Sequence, residues 1–166
     1  MKKCILLFLT VVLVLSLMAC SSAPTSGTSD NLEGDLEDIL ASVYENADLD
    51  GYFAEFVVDG LYVQEINEEN IEYHLGSKAI TYKEAIASEP VMSTSAYSLC
   101  LVRVEEGAEI ESIMSEIKDN VDPMKWVCVG VDPANIFVDH VGDVIILIMS
   151  DEQGDKLMDS FLALGA

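Results

Sequence analysis

Three groups of residues in this 166-residue chain have the types that chemistry needs. They are an oxygen-rich run at Asn46-Ala47-Asp48-Leu49-Asp50-Gly51, four cysteines (Cys4, Cys20, Cys100 and Cys128) and two histidines, His74 and His140. The first matches the opening of a calcium loop, with oxygen donors at loop positions one, three and five, Gly51 at six and the apolar Phe53 at eight. Position twelve should carry a bidentate carboxylate and holds Val57, while Glu55 comes two residues too early. A polar helix stop followed by a turn accounts for the same residues. The histidines lie in distant segments without a ligand spacing, and Asp139 and His140, adjacent in a strand, point to opposite faces. Neither a glycine-rich phosphate loop nor a Gly-x-Ser-x-Gly elbow occurs. The expectation is a protein that is not an enzyme and needs no metal or cofactor.

The cysteines divide by position. Residues 1–19 read as a signal peptide: Lys2 and Lys3 form a basic start, and an apolar run from Ile5 to Leu17 is too short to span a bilayer. The run ends in Leu17-Met18-Ala19-Cys20, the pattern of a bacterial lipobox, in which the Cys20 thiol takes a diacylglycerol thioether and becomes the new amino terminus. Two acyl chains anchor stably where one gives only reversible attachment. Processing removes Cys4 and lipidates Cys20, leaving Cys100 and Cys128 in separate predicted strands. Outside the cytoplasm a disulfide between them is chemically allowed. Their apolar neighbours, Leu99 and Leu101 or Val127 and Val129, suit buried free thiols equally well.

Charge restricts the partners. With 8 Lys+Arg against 30 Asp+Glu the chain carries −22, and loss of residues 1–19, which hold two lysines and no acid, moves this to −24. Such a surface excludes nucleic acid and is repelled by anionic headgroups, so the expected membrane contact is through the acyl chains on Cys20. Residues 20–31 comprise the lipidated cysteine and a small, polar linker whose ten residues from Ser21 to Asp30 have a root-mean-square reach of roughly 17 Å.

Residues 32–166 form one predicted domain. The spacing predicts helices over 32–47, 68–75 and 109–121, the second stopped by Gly76. The stretch 52–58 is apolar but of undecided type. Strands are predicted over 81–88 and 95–104, paired antiparallel across a turn containing Pro90, and again over 126–131. A hairpin joins 136–141 to 144–149 through Gly142-Asp143, with Val141 facing Val144, His140 facing Ile145 and Val138 facing Leu147. The unbroken apolar run Val144-Ile145-Ile146-Leu147-Ile148-Met149 belongs in the sheet interior with both faces covered. Ser150-Asp151-Glu152-Gln153 fits a capping box opening a last helix, closed by Gly165. The sum is an α+β fold: a two-layer sandwich of a largely antiparallel sheet packed by helices.

The segments Asp122-Pro123-Met124-Lys125-Trp126-Val127-Cys128 and Val141-Gly142-Asp143-Val144-Ile145-Ile146-Leu147-Ile148-Met149 together resemble an uncharacterised family of small bacterial lipoproteins, a domain of unknown function, over about residues 36–164. The resemblance implies an envelope lipoprotein, Gram-positive in kind, and carries no catalytic or binding residue with it. Tether, charge and motif content together lead to the expectation of a lipid-anchored, extracytoplasmic, non-enzymatic module that binds a basic envelope protein. The alternative is a lipoprotein that binds a small ligand or a cation.

Overall fold

The computed structural model describes residues 31–92 and 94–166. Cys20, the signal peptide and most of the linker lie outside the described residues. Element order is α1 (Leu36–Asn46), α2 (Gly51–Asp59), β1 (Leu61–Glu65), α3 (Ile71–Leu75), β2 (Glu84–Pro90), β3 (Tyr97–Arg103), α4 (Ile110–Asn120), a 3-10 turn (Pro133–Asn135), β4 (Ile136–Val141), β5 (Val144–Ser150) and α5 (Gly154–Ala163). The five strands form one sheet in the order β1-β2-β3-β5-β4, with every neighbouring pair antiparallel. The α+β class is as the sequence predicts. Among the described residues no helix is long and apolar enough to cross a membrane.

Period-two alternation decides how the sheet is covered. In β3, Leu99 and Leu101 face one side while Cys100 and Val102 face the other; in β5, Ile146 and Ile148 oppose Ile145, Leu147 and Met149. All of these are buried, so both faces need a layer. One layer is α1, α2 and α5, which bury Leu40, Val43, Phe53, Leu157 and Phe161 against the first set. The other is α3, α4 and the 122–131 loop, which bury Leu75, Ile117, Trp126 and Val131 against the second. Helices therefore pack on both sides of the sheet, and the Val144–Met149 run lies in its interior.

Local signals explain several boundaries. α1 begins four residues later than the pattern suggests because Asp35 caps it, accepting from the Asp38 amide at 2.9 Å, while Arg103 holds the preceding carbonyls of Leu32 and Gly34 at 3.1 and 3.0 Å. The undecided stretch at 52–58 is helical, as α2. α3 ends at Gly76 with φ +79°, where any β-carbon would collide with the backbone of Asn120 at the end of α4. The hairpin has the predicted register, and Gly142 supplies the positive φ of +55°.

Three expectations are corrected, and one strand is added. Pro90 does not lie in the turn between β2 and β3 but is the last residue of β2, paired with Leu61. Residues 126–131 are not a strand: Trp126 turns into the core, Val127 is 59% exposed, and the Val131 amide donates to the Pro123 carbonyl at 3.0 Å, closing a loop on itself. The capping box at Ser150 does not form, because Ser150 is still in β5 and bonds the Glu152 backbone, while Gln153, in the left-handed region at φ +50°, precedes α5. β1, an edge strand that periodicity did not reveal, pairs Leu61 with Pro90 and Val63 with Ser88.

Candidate functional site

The chemistry-bearing side chains gather at one end of the sheet, where β2 ends and β3 begins. Pairing between β2 and β3 stops at Ser88 and Leu99, but β2 continues through Glu89 and Pro90, which pair only with β1. Glu89 thereby projects into the α3 and α4 layer with 4% of its side chain exposed. A lone carboxylate in that position needs donors on every side. Ser98 Oγ donates to its Oε1 at 2.6 Å and Lys125 Nζ at 2.8 Å; His74 Nδ1 lies at 3.3 Å, and Trp126 Nε1 donates to Oε2 at 3.4 Å.

Proton positions follow from that arrangement. An ionised carboxylate only accepts, so His74 carries its proton on Nδ1 and donates it. Ser98 spends its hydrogen on Glu89 and accepts from Lys125 Nζ at 3.1 Å, which leaves the Cys100 thiol, 3.6 Å away, to donate to Ser98. The Lys125 side chain is 3% exposed, and its Nζ lies 4.7 Å from the Tyr73 ring centre and 5.2 Å from that of Trp126, so aromatic faces complete its surroundings. Burial pushes the Glu89 carboxyl up, but His74, Lys125 and Ser98 outweigh it and hold it below its ordinary value. Burial raises the Cys100 thiol to about 11.

A serine beside a lysine, with a carboxylate and a histidine, has the residue types of an acid-base catalyst. Here Ser98 and His74 are 0% and 1% exposed, and the Lys125 charge is neutralised by Glu89. No reacting atom can approach Ser98 Oγ in this arrangement. Its evident effect is structural: it ties α3, β2, β3 and the 122–131 loop together.

On the opposite face a second polar set occupies the same end of the sheet. Tyr44 OH donates to Ser88 Oγ at 2.8 Å and meets Tyr97 OH at 3.0 Å. Burial raises the Tyr44 phenol to about 12 and that of Tyr97 well above its usual value. The Tyr97 ring also meets Phe53 and Phe56 edge-on at 5.8 and 5.7 Å.

An open cleft lies beyond these two sets. Its first hollow, about 300 Å³, lies between α2 (Tyr52, Phe53, Phe56), the start of β3, Val129 and Gly130 of the loop, and the end of β5. A second hollow, about 400 Å³, shares Tyr52, Phe56 and Ser95 with the first and continues past Val91 and Met92. Tyr52, Val91 and Met92 are 76%, 65% and 67% exposed. Acids border this apolar surface: Asp151 and Glu152 at the first hollow, Glu55 and Asp59 at the second. Among the described residues, none that lines either hollow is Lys, Arg or His.

The residues singled out from the sequence lie largely elsewhere. Cys100 and Cys128 are free thiols, Cys100 buried in β3 and Cys128 exposed in the loop with φ +63°. Asp50 of the calcium-like run accepts from Lys156 Nζ at 2.8 Å, and Gln153 clamps the Asp50 backbone with two bonds of 3.0 Å. Val57 is buried in the core. Among the described residues no group of three or more His, Cys, Asp or Glu could hold a metal ion. His140 pairs with Ile145 and Asp139 with Ile146, on opposite faces, and His140 Nδ1 lies 3.2 Å from the Gly142 carbonyl. His74 belongs to the cluster, and Cys100 touches it through Ser98. Glu89, Ser98 and Lys125 were not legible as a group, although an acid directly before Pro90 at the end of β2 and a lysine next to the single tryptophan are the signals that mark them.

No protein-family model matches the chain, and no curated protein and no solved structure matches it at a significant level.

Proposed function

We propose that this is a lipid-anchored, extracytoplasmic envelope protein that binds a partner protein and carries out no chemistry of its own. The observation that carries the binding reading is the contrast between the two features at the Tyr97 end of the sheet. The polar cluster with catalytic residue types is closed, whereas the open feature is an apolar cleft with an acidic border. Apolar side chains grouped in a concave site and bordered by charge of one sign suit recognition of a partner. The anchor rests on Leu17-Met18-Ala19-Cys20 and its basic and apolar lead-in.

The alternative, a small-ligand lipoprotein, draws on the same cleft, since a hollow of about 300 Å³ is large enough for a compact organic molecule. Crosslinking of the full chain in living cells, followed by mass spectrometry, separates the two. A partner protein recovered reproducibly, and in lower yield when high salt precedes crosslinking, supports the leading reading; its absence across crosslinkers, with a small molecule retained by the purified protein, supports the other. Fatty-acid labelling tests the anchor: Cys20→Ala should abolish it, and undiminished labelling of that variant would remove the lipoprotein assignment.

A further inference from the structure

We infer that the cleft takes an extended, lysine- or arginine-bearing segment of the partner, with two apolar side chains of that segment filling its two hollows. This rests on the binding-module reading and specifies the partner. Shape gives the first reason. The hollows adjoin through Tyr52, Phe56 and Ser95, and alternate side chains of an extended peptide fall on one side about 7 Å apart, so one short segment can engage both. Charge gives the second. Carboxylates border both hollows, no cationic side chain among the described residues lines either, and the chain as a whole is strongly negative. A cationic segment would be drawn in and an acidic one refused.

Rigidity gives the third reason. The cleft floor is fixed by the edge-on contacts of Tyr97 with Phe53 and Phe56, and the wall carrying Val129 and Gly130 belongs to the loop pinned by Lys125 and Trp126 to Glu89. A preformed site spends little binding energy on ordering itself. The cleft also lies away from the tether. Arg103 holds the carbonyls of Leu32 and Gly34 at the far end of β3, about 20 Å along the strand from Tyr97. The segment is therefore met on the side of the domain remote from the chain's entry, where a protein of the envelope is accessible.

The test uses the full acylated protein in non-ionic detergent and three probes measured by calorimetry: the blocked peptide Lys-Phe-Lys-Leu-Lys, its uncharged counterpart Gln-Phe-Gln-Leu-Gln, and phenethylammonium. The lysine peptide should bind at least tenfold more tightly than either of the others. Its affinity should fall at least tenfold in Glu55→Lys plus Asp59→Lys, which alters only exposed positions of α2, and in Tyr52→Ala. It should change less than threefold in Glu105→Lys plus Glu106→Lys, an equal charge change at the opposite end. Equal losses in the two charge-reversed proteins would reduce the effect to net charge and overturn the inference, as would equal binding of the glutamine peptide or of phenethylammonium. Failure of all three probes to bind, with a partner still crosslinked in cells, would overturn the cationic segment while leaving the binding-module reading in place.

Discussion

Lys125 and Glu89 form a salt bridge of 2.8 Å in which both side chains are almost wholly buried, at 3% and 4% exposure, and which fastens the 122–131 loop to the end of β2. Two other lysines pair nearer the surface, Lys78 with Glu72 and Lys156 with Asp50. The Lys125 pair is different in kind because either partner alone would be an uncompensated charge in the interior.

Removing one partner should accordingly cost more than removing both. Lys125→Met is expected to destabilise the domain by about 3 kcal/mol, and the double variant Lys125→Met plus Glu89→Leu by less than the single one. Urea unfolding measures both. A single variant within about 0.5 kcal/mol of the parent would show that the pair does not hold the loop.

Acid should act through the same carboxylate. Because the folded protein holds Glu89 below its ordinary value, the stabilisation it provides is fully present above the unfolded value of about 4.3 and is lost as pH falls through the lower folded value. Glu89→Gln should remove that share of the acid sensitivity, so the gap in stability between parent and variant narrows as pH falls below about 4.3. A gap independent of pH from about 6 to about 2.5, across the carboxylate range, would contradict the assignment.

The tyrosine pair on the opposite face gives an independent check. Tyr44→Phe leaves the Tyr97 hydroxyl and Ser88 without their shared partner and should cost about 1 to 3 kcal/mol. In ultraviolet titration the parent should show phenolate absorbance appearing only near pH 12 for Tyr44, and the variant should lose that contribution.

Thiol reactivity separates the two cysteines. In the native processed protein Cys128, exposed in the loop, should react with a disulfide reagent at pH 8, while Cys100, buried and raised to about 11, should react only after unfolding. One thiol before urea and two after is the expected count among Cys100 and Cys128; none in either state without reductant would show the two to be bridged.

The parts legible in the sequence were those whose burial repeats with a period. Val144 to Met149 is apolar on both faces and lies inside the sheet, and Gly142 fixes the hairpin register because it supplies the positive φ a two-residue turn needs. β1 escaped because it is an edge strand: Tyr62 and Val63, which point to opposite faces, are both half-exposed, so alternation is lost. Trp126 to Val131 has strand-like composition, but Trp126 is drawn inward toward Glu89 and Cys128 takes a left-handed conformation, which no propensity encodes. The Glu89 cluster was illegible for a different reason. Its members range from His74 to Trp126, and only the pairing of β2 with β3 and the docking of α3 and the loop bring them together.

The most direct measurement of the central claim is site-specific photocrosslinking in living cells from position 52 in the cleft, with position 83 at the opposite end of the sheet as the control. The expected result is a discrete adduct from Tyr52 to a protein carrying a basic segment, absent from Lys83 and lost when Glu55 and Asp59 are both changed to lysine. Adducts of equal yield from both positions, or an adduct from Tyr52 that persists in the charge-reversed protein, would contradict it.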